Sequence, residues 1–147
     1  MTCIDRWERE CRATYEHTAT APWYLALSIR QPWIDQFLRG VKAPVKRGPF
    51  KGCQTEYRSW RTTHRGPLVL VSSATPDRGD AEEPYRGQLL SSTIALVDLV
   101  DIGGDLFDWR WYVRDVRPLV PLRVKGAINL YPVEGRHVRI ARVARAS

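Results

Sequence analysis

The chain has 147 residues, of which 44% are hydrophobic and 27% are charged, and it carries a formal net charge of +7. This length corresponds to one domain with its own core, and the apolar and aromatic content excludes a disordered chain. The excess of basic residues favours polyanionic partners, whereas the three cysteines lack the spacing of a disulfide framework or a zinc finger.

The first predicted element is a helix within residues 1–22, ahead of the main domain. Apolar side chains recur there at intervals of three and four residues, and Thr2 and Asp5 have the spacing of a capping box. We expect this extension to cover one end of the core. No stretch is apolar enough for a membrane span and no signal peptide is evident, so the sequence predicts a cytoplasmic protein without a membrane partner.

A strand and a short helix open the main domain, which is predicted over residues 23–133. The run Trp23–Ile29 is typical of a short strand, and Pro32 suits the first position of a helix. Gly40 is placed to end this helix, whose apolar face comprises Trp33, Ile34, Phe37 and Leu38. Residues 43–55 combine proline, glycine and basic residues, and this composition predicts a loop.

The remainder of the chain is predicted to be rich in β-strands. The segment Thr75–Gln88 is acidic and predicts a surface loop with room for one helical turn. Residues 134–147 are predicted to be a basic tail or a last strand, and residues 136–145 fit a strand or a helix. The predicted strands are Pro67–Ser73, Ser92–Val100, Trp109–Val113, Gly126–Val133 and, as an option, His137–Val143.

These elements define the predicted fold class. Only one clear helix separates strands, so alternating βαβ units do not fit the pattern. The sequence instead predicts an α+β domain in which five to seven strands curl or close into a small β-barrel with flanking helices.

The charges are distributed in blocks along the chain. Residues 39–65 carry eight basic side chains and one acid, and residues 110–147 carry nine basic and two acidic ones. Residues 66–109 between them carry two basic and eight acidic side chains. If the fold brings the two basic blocks together, one face of the protein is strongly positive.

Several familiar catalytic signatures are missing from the sequence. It contains no G-x-S-x-G, no G-x-x-x-x-G-K-[ST], no H-E-x-x-H and no G-x-G-x-x-G motif. The three histidines are scattered, and neither they nor the cysteines have the spacing of metal ligands. We therefore expect neither a metal site nor a cofactor.

The densest group of candidate functional residues lies between positions 28 and 66. Cations neutralise phosphates and aromatic rings stack on exposed bases, so their interleaving is typical of a nucleic-acid groove. The competing interpretation is that Trp33 and Trp60 are core residues and that the cations form a solvated loop. The candidate binding residues are Ser28, Arg30, Gln31, Trp33, Lys42, Glu56, Arg58, Ser59, Trp60 and Arg65.

Glu56 is the one acid in the first basic block. Its carboxylate is expected to pair with Lys42 or Arg58, or to accept a hydrogen bond from an amino group of a ligand. Ion pairing is the simpler expectation, because such networks are common in folded proteins.

These residues resemble the ASCH family, the activating-signal-cointegrator homology domains. The similar segments are Ala26–Trp33, Gly40–Lys42, Glu56–Pro67, Leu68–Ala74, Ser92–Asp101, Trp109–Leu119 and Val124–Gly126, so the resemblance spans residues 23–133. It implies a PUA-like fold, a small β-barrel with helices beside it, and a nucleic-acid-binding module associated mainly with RNA. Some members of the family are enzymes, including amidohydrolases that act on acetylated cytidine and a reported nuclease.

The sequence departs from the family at its G-x-K-x-x-E-x-R signature, because thirteen residues separate Lys42 from Glu56. An ungapped match would place Val45 at the acid position. We prefer the gapped match, since Arg58 and Trp60 continue the pattern directly after Glu56, and we expect the basic insertion at 43–55 to lie at the rim of the pocket. In the gapped match Glu56 takes the position of the threonine that the amidohydrolases use, and Thr55 is one residue out of register.

The sequence thus predicts a protein that binds RNA, or single-stranded nucleic acid, in a basic cleft between the helix near Pro32 and the barrel. The implied roles are phosphate contacts by Lys42, Arg58 and Arg65, stacking by Trp60 or Trp33, and reading of a base edge by Glu56 with Ser28 or Gln31.

Two alternatives to nucleic-acid binding remain open. The first is a metal-independent hydrolase of a modified nucleoside or of RNA, in which Lys42, Glu56 and Tyr57 carry the chemistry. The second is an interaction module whose C-terminal arginines form a docking or RNA-binding tail.

Overall fold

The computed structural model describes residues 21–79 and 83–141, and within them it contains six β-strands, one α-helix and one short 3-10 helix. The helix expected in the first 20 residues and the end of the basic tail, residues 142–147, lie outside the described residues. In chain order the elements are β1 (Trp23–Ile29), α1 (Trp33–Leu38), β2 (Gln54–Arg58), β3 (Gly66–Ser72), β4 (Thr93–Asp105), β5 (Asp108–Pro118), β6 (Tyr131–Glu134) and the 3-10 helix Gly135–His137.

All six strands belong to one mixed sheet with the order β2-β5-β4-β3-β1-β6. β1 and β3 are parallel, and every other neighbouring pair is antiparallel. The two longest strands, β4 and β5, form a hairpin that lies between β2 and β3 in the sheet. β2 and β6 are therefore the two edge strands of the described sheet.

The core lies on both faces of the central strands. Along β3, Leu68 and Leu70 belong to one apolar cluster, whereas Val69 and Val71 belong to a second cluster on the opposite face. All four side chains are buried. A continuous apolar run of this kind is expected where a strand is covered on both sides, and it explains why β3 was readily predicted.

The sheet curls so strongly that β1 and β2 approach each other. They are the fifth and first strands in the order, and in a flat sheet four strand spacings would separate them by about 19 Å. Nη2 of Arg58 on β2 nevertheless donates to the carbonyl oxygen of Ser28 on β1 at 2.8 Å. No side chain spans the flat-sheet distance, so the sheet must curl into roughly half of a barrel.

The helix α1 covers part of the first apolar cluster. Ile34 and Phe37 are buried and pack against β3, β4 and β5. Gly40 has a φ of 72°, a left-handed conformation that ends the helix as expected. Leu38, however, is 40% exposed, so it does not belong to the predicted apolar face.

The prediction of an α+β domain with five to seven strands in a curled sheet is confirmed by the six strands of the mixed sheet. β1 has the predicted bounds, and β3 begins and ends one residue before the predicted strand. β4 and β5 both extend beyond their predicted ends, to Asp105 and Pro118. The extension of β4 forms the outer end of the hairpin, where its residues are partly or fully exposed, whereas the extension of β5 pairs with residues 95–98 of β4.

Two predictions of single elements are wrong. No strand was expected at Gln54–Arg58, yet β2 forms there because it pairs with β5 along its whole length. Only the end of the predicted strand Gly126–Val133 is a strand, β6, because residues 126–127 are irregular and residues 128–130 form a bend.

The loop and tail predictions are answered only where the chain is described. Residues 75–79 and 83–88 contain no helical turn. In the optional strand His137–Val143, Ile140 makes an isolated bridge to Leu119, and no strand or α-helix forms between residues 137 and 141.

Among the described segments, no helix has the length and apolar character that crossing a membrane requires.

Candidate functional site

An open cavity of about 810 Å³ lies where β1 and β2 approach each other. The N-terminal half of α1 forms one wall, and the segments 73–75 and 128–129 form its rim. Its lining residues are Leu27, Ser28, Ile29, Arg30, Trp33, Gln36, Lys42, Ala43, Glu56, Tyr57, Arg58, Trp60, Ser73, Ala74, Thr75, Ile128 and Asn129. We call this cavity the cleft.

The insertion at 43–55 is closed at its base, and this closure brings Lys42 next to Glu56. The backbone N–H of Lys42 donates to Oε1 of Gln54 at 2.9 Å, and the N–H of Thr55 donates to the carbonyl oxygen of Lys42 at 2.9 Å. The N–H of Val45 further donates to the carbonyl oxygen of Cys53. Residues distant in sequence therefore become neighbours, as the gapped match requires.

The tip of the insertion lies against β5 rather than in the cleft. The Phe50 ring stacks on Tyr112 with 4.4 Å between centroids and 11° between the ring planes. Of residues 43–53, only Ala43 lines the cleft. The exposed cations of the insertion, Lys46, Arg47 and Lys51, thus do not take part in the cleft itself.

Lys42, Glu56 and Arg58 form a group of three charges, which we call the ion triad, and the Arg58 side chain is 25% exposed. Oε1 of Glu56 lies 3.3 Å from Nζ of Lys42, and Oε2 lies 3.2 Å from Nη2 of Arg58. Nζ of Lys42 also donates to the carbonyl oxygen of Thr55 at 3.1 Å, and the N–H of Tyr57 donates to Oε1 of Glu56. Lys42 and Glu56 are only 8% and 7% exposed.

The triad carries one more positive than negative charge. Burying charges is unfavourable unless they are paired and hydrogen-bonded. Glu56 meets this condition through hydrogen bonds from the Tyr57 N–H and from Nη2 of Arg58, together with its ion pair to Lys42. Nε of Arg58 is buried and has no partner among the described residues. Arg30 also lines the cleft and is exposed. The cleft is therefore suited to a ligand that bears negative charge.

The two tryptophans of the cleft also support the core. Trp60 packs edge-on against Trp111 with 4.9 Å between centroids, and Nε1 of Trp111 donates to the carbonyl oxygen of Trp60. Nε1 of Trp33 donates to Asp77 at 2.9 Å. Both Trp33 and Trp60 are half-buried, so each combines contact with the core with a surface on the cleft.

Aromatic rings also surround the Lys42 ammonium. Nζ lies 5.7 Å from the centroid of Phe37 and 5.4 Å from that of Tyr57. These distances allow cation–π attraction. Tyr57 is 51% exposed, so its ring is accessible at the mouth of the cleft.

Ser28 is held in place from behind the cleft. Its Oγ lies 2.7 Å from the hydroxyl oxygen of Tyr131, and burial raises the pKa of Tyr131 while this hydrogen bond opposes the rise. Gly126 packs directly on the pair, because a Cβ atom there would lie 2.8 Å from Oγ of Ser28. A side chain at position 126 would therefore displace Ser28.

Three of the predicted site residues do not join the cleft. Gln31 is fully buried, and its Nε2 donates to Oδ1 of Asp35 and to the carbonyl oxygen of Leu89. Ser59 is exposed and does not line the cavity. Arg65 pairs with Asp101 at 3.1 Å beside a different cavity. The other predicted residues, Ser28, Arg30, Trp33, Lys42, Glu56, Tyr57, Arg58 and Trp60, line the cleft together.

Sequence reasoning missed the rim of the cleft. Ile128 is 89% exposed although it is apolar, and Asn129 next to it has a φ of 61°. The loop 73–75 is held there because the N–H of Ser73 donates to the carbonyl oxygen of Ile29. An asparagine after an apolar residue signals a turn, and that signal could have ended the predicted strand Gly126–Val133 before residue 129.

In the part of the chain that is described, no three His, Cys, Asp or Glu side chains cluster as a metal site would require. No protein-family model matches the chain, and no curated protein matches it.

Proposed function

We propose that this protein is a PUA-like domain of the ASCH type that binds RNA, or single-stranded nucleic acid, in the cleft. The observation that carries the proposal is the ion triad at the wall of a cavity that is also lined by three aromatic side chains, Trp33, Tyr57 and Trp60. Cations attract the phosphates of a single strand, and aromatic rings offer stacking surfaces for its bases. A cavity of about 810 Å³ lies within the usual range for small-molecule sites and is large enough for a nucleotide.

The contacts assign different roles to the cations than the sequence suggested. Lys42 is buried between Glu56, the Thr55 carbonyl group and two rings, so it positions Glu56 rather than a phosphate. Arg30 is exposed on the cleft wall, and Arg58 lines the cleft with 25% of its side chain exposed, so these two residues are the proposed phosphate contacts.

The base is proposed to lie between the tryptophans and Glu56. Trp60 and Trp33 provide the apolar walls, and Oε2 of Glu56 has one donor among the described residues, Nη2 of Arg58. A carboxylate oxygen can accept a second hydrogen bond. An exocyclic amino group of a base is a donor of the required kind.

The proximity of Lys42 and Glu56 supports the gapped match to the ASCH signature, and with it the PUA-like assignment. In the ungapped alternative Val45 would stand where the acid is needed. In the fold Val45 lies within the insertion, where its backbone pairs with Cys53, while Glu56 contacts Lys42.

Fluorescence anisotropy with a labelled single-stranded RNA octamer of mixed sequence tests the proposal. Two phosphate contacts predict that the logarithm of the association constant falls with the logarithm of the salt concentration, with a slope of about −1.4 or steeper between 50 and 200 mM. Arg30→Gln should weaken binding and reduce the slope by about 0.7. Absence of binding at 50 mM salt would refute the proposal.

Arg114→Gln is the matched control for Arg30→Gln. Arg114 lines neither the cleft nor the cavity beside Arg65, and its side chain is 59% exposed and paired with Asp115. The Arg114→Gln substitution removes one positive charge from the protein, as Arg30→Gln does. Equal effects of the two variants would show that the cleft is not the binding site.

Trp60→Phe tests stacking in the cleft. Phenylalanine keeps a ring against Trp111, whereas Trp60→Ala removes that contact and is expected to cost about 3 to 5 kcal/mol of stability. Trp60→Phe should bind the octamer more weakly than the wild type with an unchanged salt slope, because stacking releases no counterions. Wild-type affinity in a folded Trp60→Phe protein would assign Trp60 to the core alone.

A hydrolase is the second candidate, and one observation favours it. A buried Lys–Glu contact of 3.3 Å beside an open cavity is an arrangement that active sites use. Glu56 could take the proton of a water that attacks an acyl carbon and pass it to the leaving amine, while Lys42 or Tyr57 donates to the carbonyl oxygen. Incubation of metal-free protein with acetylated cytidine and with labelled RNA tests this, and turnover that Lys42→Ala abolishes would establish it.

A further inference from the structure

A second cavity of about 410 Å³ lies between the segment after β2 and the β4–β5 hairpin. It is lined by Arg61, Thr62, Thr63, Arg65, Ile102 and Trp109. Two of these residues are arginines and one is a tryptophan, so its lining has the same kinds of side chain as the cleft. We call it the second cavity.

The two arginines of the second cavity are bound in different ways. Nη1 of Arg65 donates to the carbonyl oxygens of Thr62 and His64, and its Nη2 donates to Asp101. Arg65 is thus fully used in holding the loop in shape. The Arg61 guanidinium instead lies 4.8 Å from the centre of the Trp109 ring. Within residues 21–79 and 83–141 no carboxylate pairs with Arg61.

The position of Arg61 over the Trp109 ring leaves its guanidinium able to bind an anion. Cation–π attraction to an indole face uses none of the N–H donors of a guanidinium. The exposed Arg61 guanidinium can therefore donate two hydrogen bonds to a phosphate while it stays over the ring. Thr62 adds a donor, because its Oγ1 accepts from the N–H of His64 and its own proton stays available.

The cleft and the second cavity adjoin each other along the chain. Trp60 lines the cleft, and Arg61, the next residue, lines the second cavity. Trp60 packs against Trp111, and Arg61 lies over Trp109, which is two residues away on the same face of β5 and so about 7 Å from it. A single strand whose base lies against Trp60 therefore has Arg61 close to its path.

We infer that Arg61, which lies over the Trp109 ring, is a second subsite that binds the phosphodiester group next to the nucleotide in the cleft. This inference rests on the proposed function, because it assigns the path of the same strand. It predicts that the protein prefers oligonucleotides to mononucleotides, and that Arg61 provides this preference.

The experiment compares short and long probes on the full chain. The four nucleoside 5′-monophosphates compete with the labelled RNA octamer for the cleft alone, whereas the octamer reaches both cavities. Arg61→Gln should weaken octamer binding on the order of tenfold, as expected for a lost hydrogen-bonded charge contact. It should also lower the salt slope by about 0.7, and it should leave mononucleotide affinity unchanged.

Two further variants complete the test. Arg61→Lys keeps the positive charge but lacks the planar guanidinium. Its salt slope should therefore equal that of the wild type, while its affinity for the octamer should lie between those of the wild type and Arg61→Gln. Arg114→Gln should leave the affinity for both the octamer and the mononucleotides unchanged. If Arg61→Gln and Arg114→Gln bind the octamer with equal affinity, the inference is overturned. Mononucleotide binding by the wild-type protein would in that case still support the proposed function. If wild-type protein binds neither the octamer nor any mononucleotide, the proposed function itself fails.

Discussion

Glu56 and Asp101 each hold an arginine side chain, but in opposite surroundings. Glu56 is buried in the cleft and contacts both Lys42 and Arg58, at 3.3 and 3.2 Å. Asp101 lies beside the second cavity, where it contacts Arg65 at 3.1 Å with half of its side chain exposed. The distances are nearly equal, so the two sites differ in the burial of their carboxylates and not in the length of their contacts.

Solvent determines what each pair contributes. Water screens an exposed ion pair and can replace either partner, so such pairs contribute little to stability. A buried charge that loses its partner has no water to replace it, and breaking such a pair is strongly destabilising. We therefore assign the ion triad to the integrity of the cleft and the Arg65–Asp101 pair to the shape of one loop.

Glu56→Ala tests the buried side of this comparison and should have the largest effect. It leaves Lys42 and Arg58 side by side without a counter-charge, and we expect a loss of about 3 to 5 kcal/mol in the free energy of unfolding. Urea denaturation monitored by tryptophan fluorescence measures it. Asp101→Ala is the matched control and should shift the urea midpoint far less. Similar shifts in the two variants would refute the distinction between the sites.

Gly126→Ala tests how tightly the cleft is packed and should have the next largest effect. The new Cβ atom would lie 2.8 Å from Oγ of Ser28 and disturb its hydrogen bond with Tyr131. Overpacking of this kind costs about 1 to 3 kcal/mol, and the melting temperature reports it. Gly79→Ala is the control, because its nearest contact would be an ordinary 3.9 Å.

A double variant sharpens the test at position 126. Ser28→Ala removes the atom that the new Cβ meets, so the combined loss in Ser28→Ala/Gly126→Ala should be smaller than the sum of the single losses. Additive losses would show that the clash with Ser28 is not the cause.

Tyr131 predicts a dependence of stability on alkaline pH. Burial raises its pKa in the folded protein, so its contribution is fully present below the unfolded-state value of about 10 and is lost as the pH rises through the folded-state value. Wild-type protein should therefore lose more stability than Tyr131→Phe when the pH rises from 8 to above 10. Urea midpoints at both pH values measure the difference, and parallel losses would contradict it.

Asp101 predicts a smaller dependence at acid pH. The N–H of Ile102 and then Arg65 lower its pKa in the folded protein. Its contribution is therefore present above the unfolded-state pKa of about 3.9 and is lost as the pH falls through the folded-state value. Asp101→Asn should reduce the acid sensitivity of the urea midpoint between pH 6 and pH 3. An unchanged acid sensitivity would mean that the pair is absent in solution.

The sequence predicted those elements whose burial is visible in their own apolar residues. α1 packs Ile34 and Phe37 of one face on the sheet, and β1 is a short apolar run whose buried residues belong to both apolar clusters. β2 has no such pattern, since its buried residues are Gln54, Thr55 and Glu56. They are buried by pairing with β5 and by the ion triad, and both depend on residues distant in sequence.

The candidate site divides in the same way. Proximity of Lys42 and Glu56 followed from the gapped motif. The exclusion of Gln31 and Arg65 did not, because neighbours in sequence can point to different sides of a curled sheet. Gln31 follows Arg30 of the cleft by one residue, yet its side chain turns inward to Asp35. The rim residue Ile128 comes to the cleft only through a bend that apolar patterning conceals.

The curl of the sheet has a consequence for amide hydrogen exchange. β1 and β2, which bound the cleft, are the fifth and first strands of the order, with β3, β4 and β5 between them. A ligand that holds β1 and β2 together resists opening of every strand between them. Deuterium uptake at backbone amides of β4 and β5, which do not line the cleft, should therefore slow as a mononucleotide fills the cleft. Occupancy of the cleft and opening of the middle strands are then linked in one equilibrium.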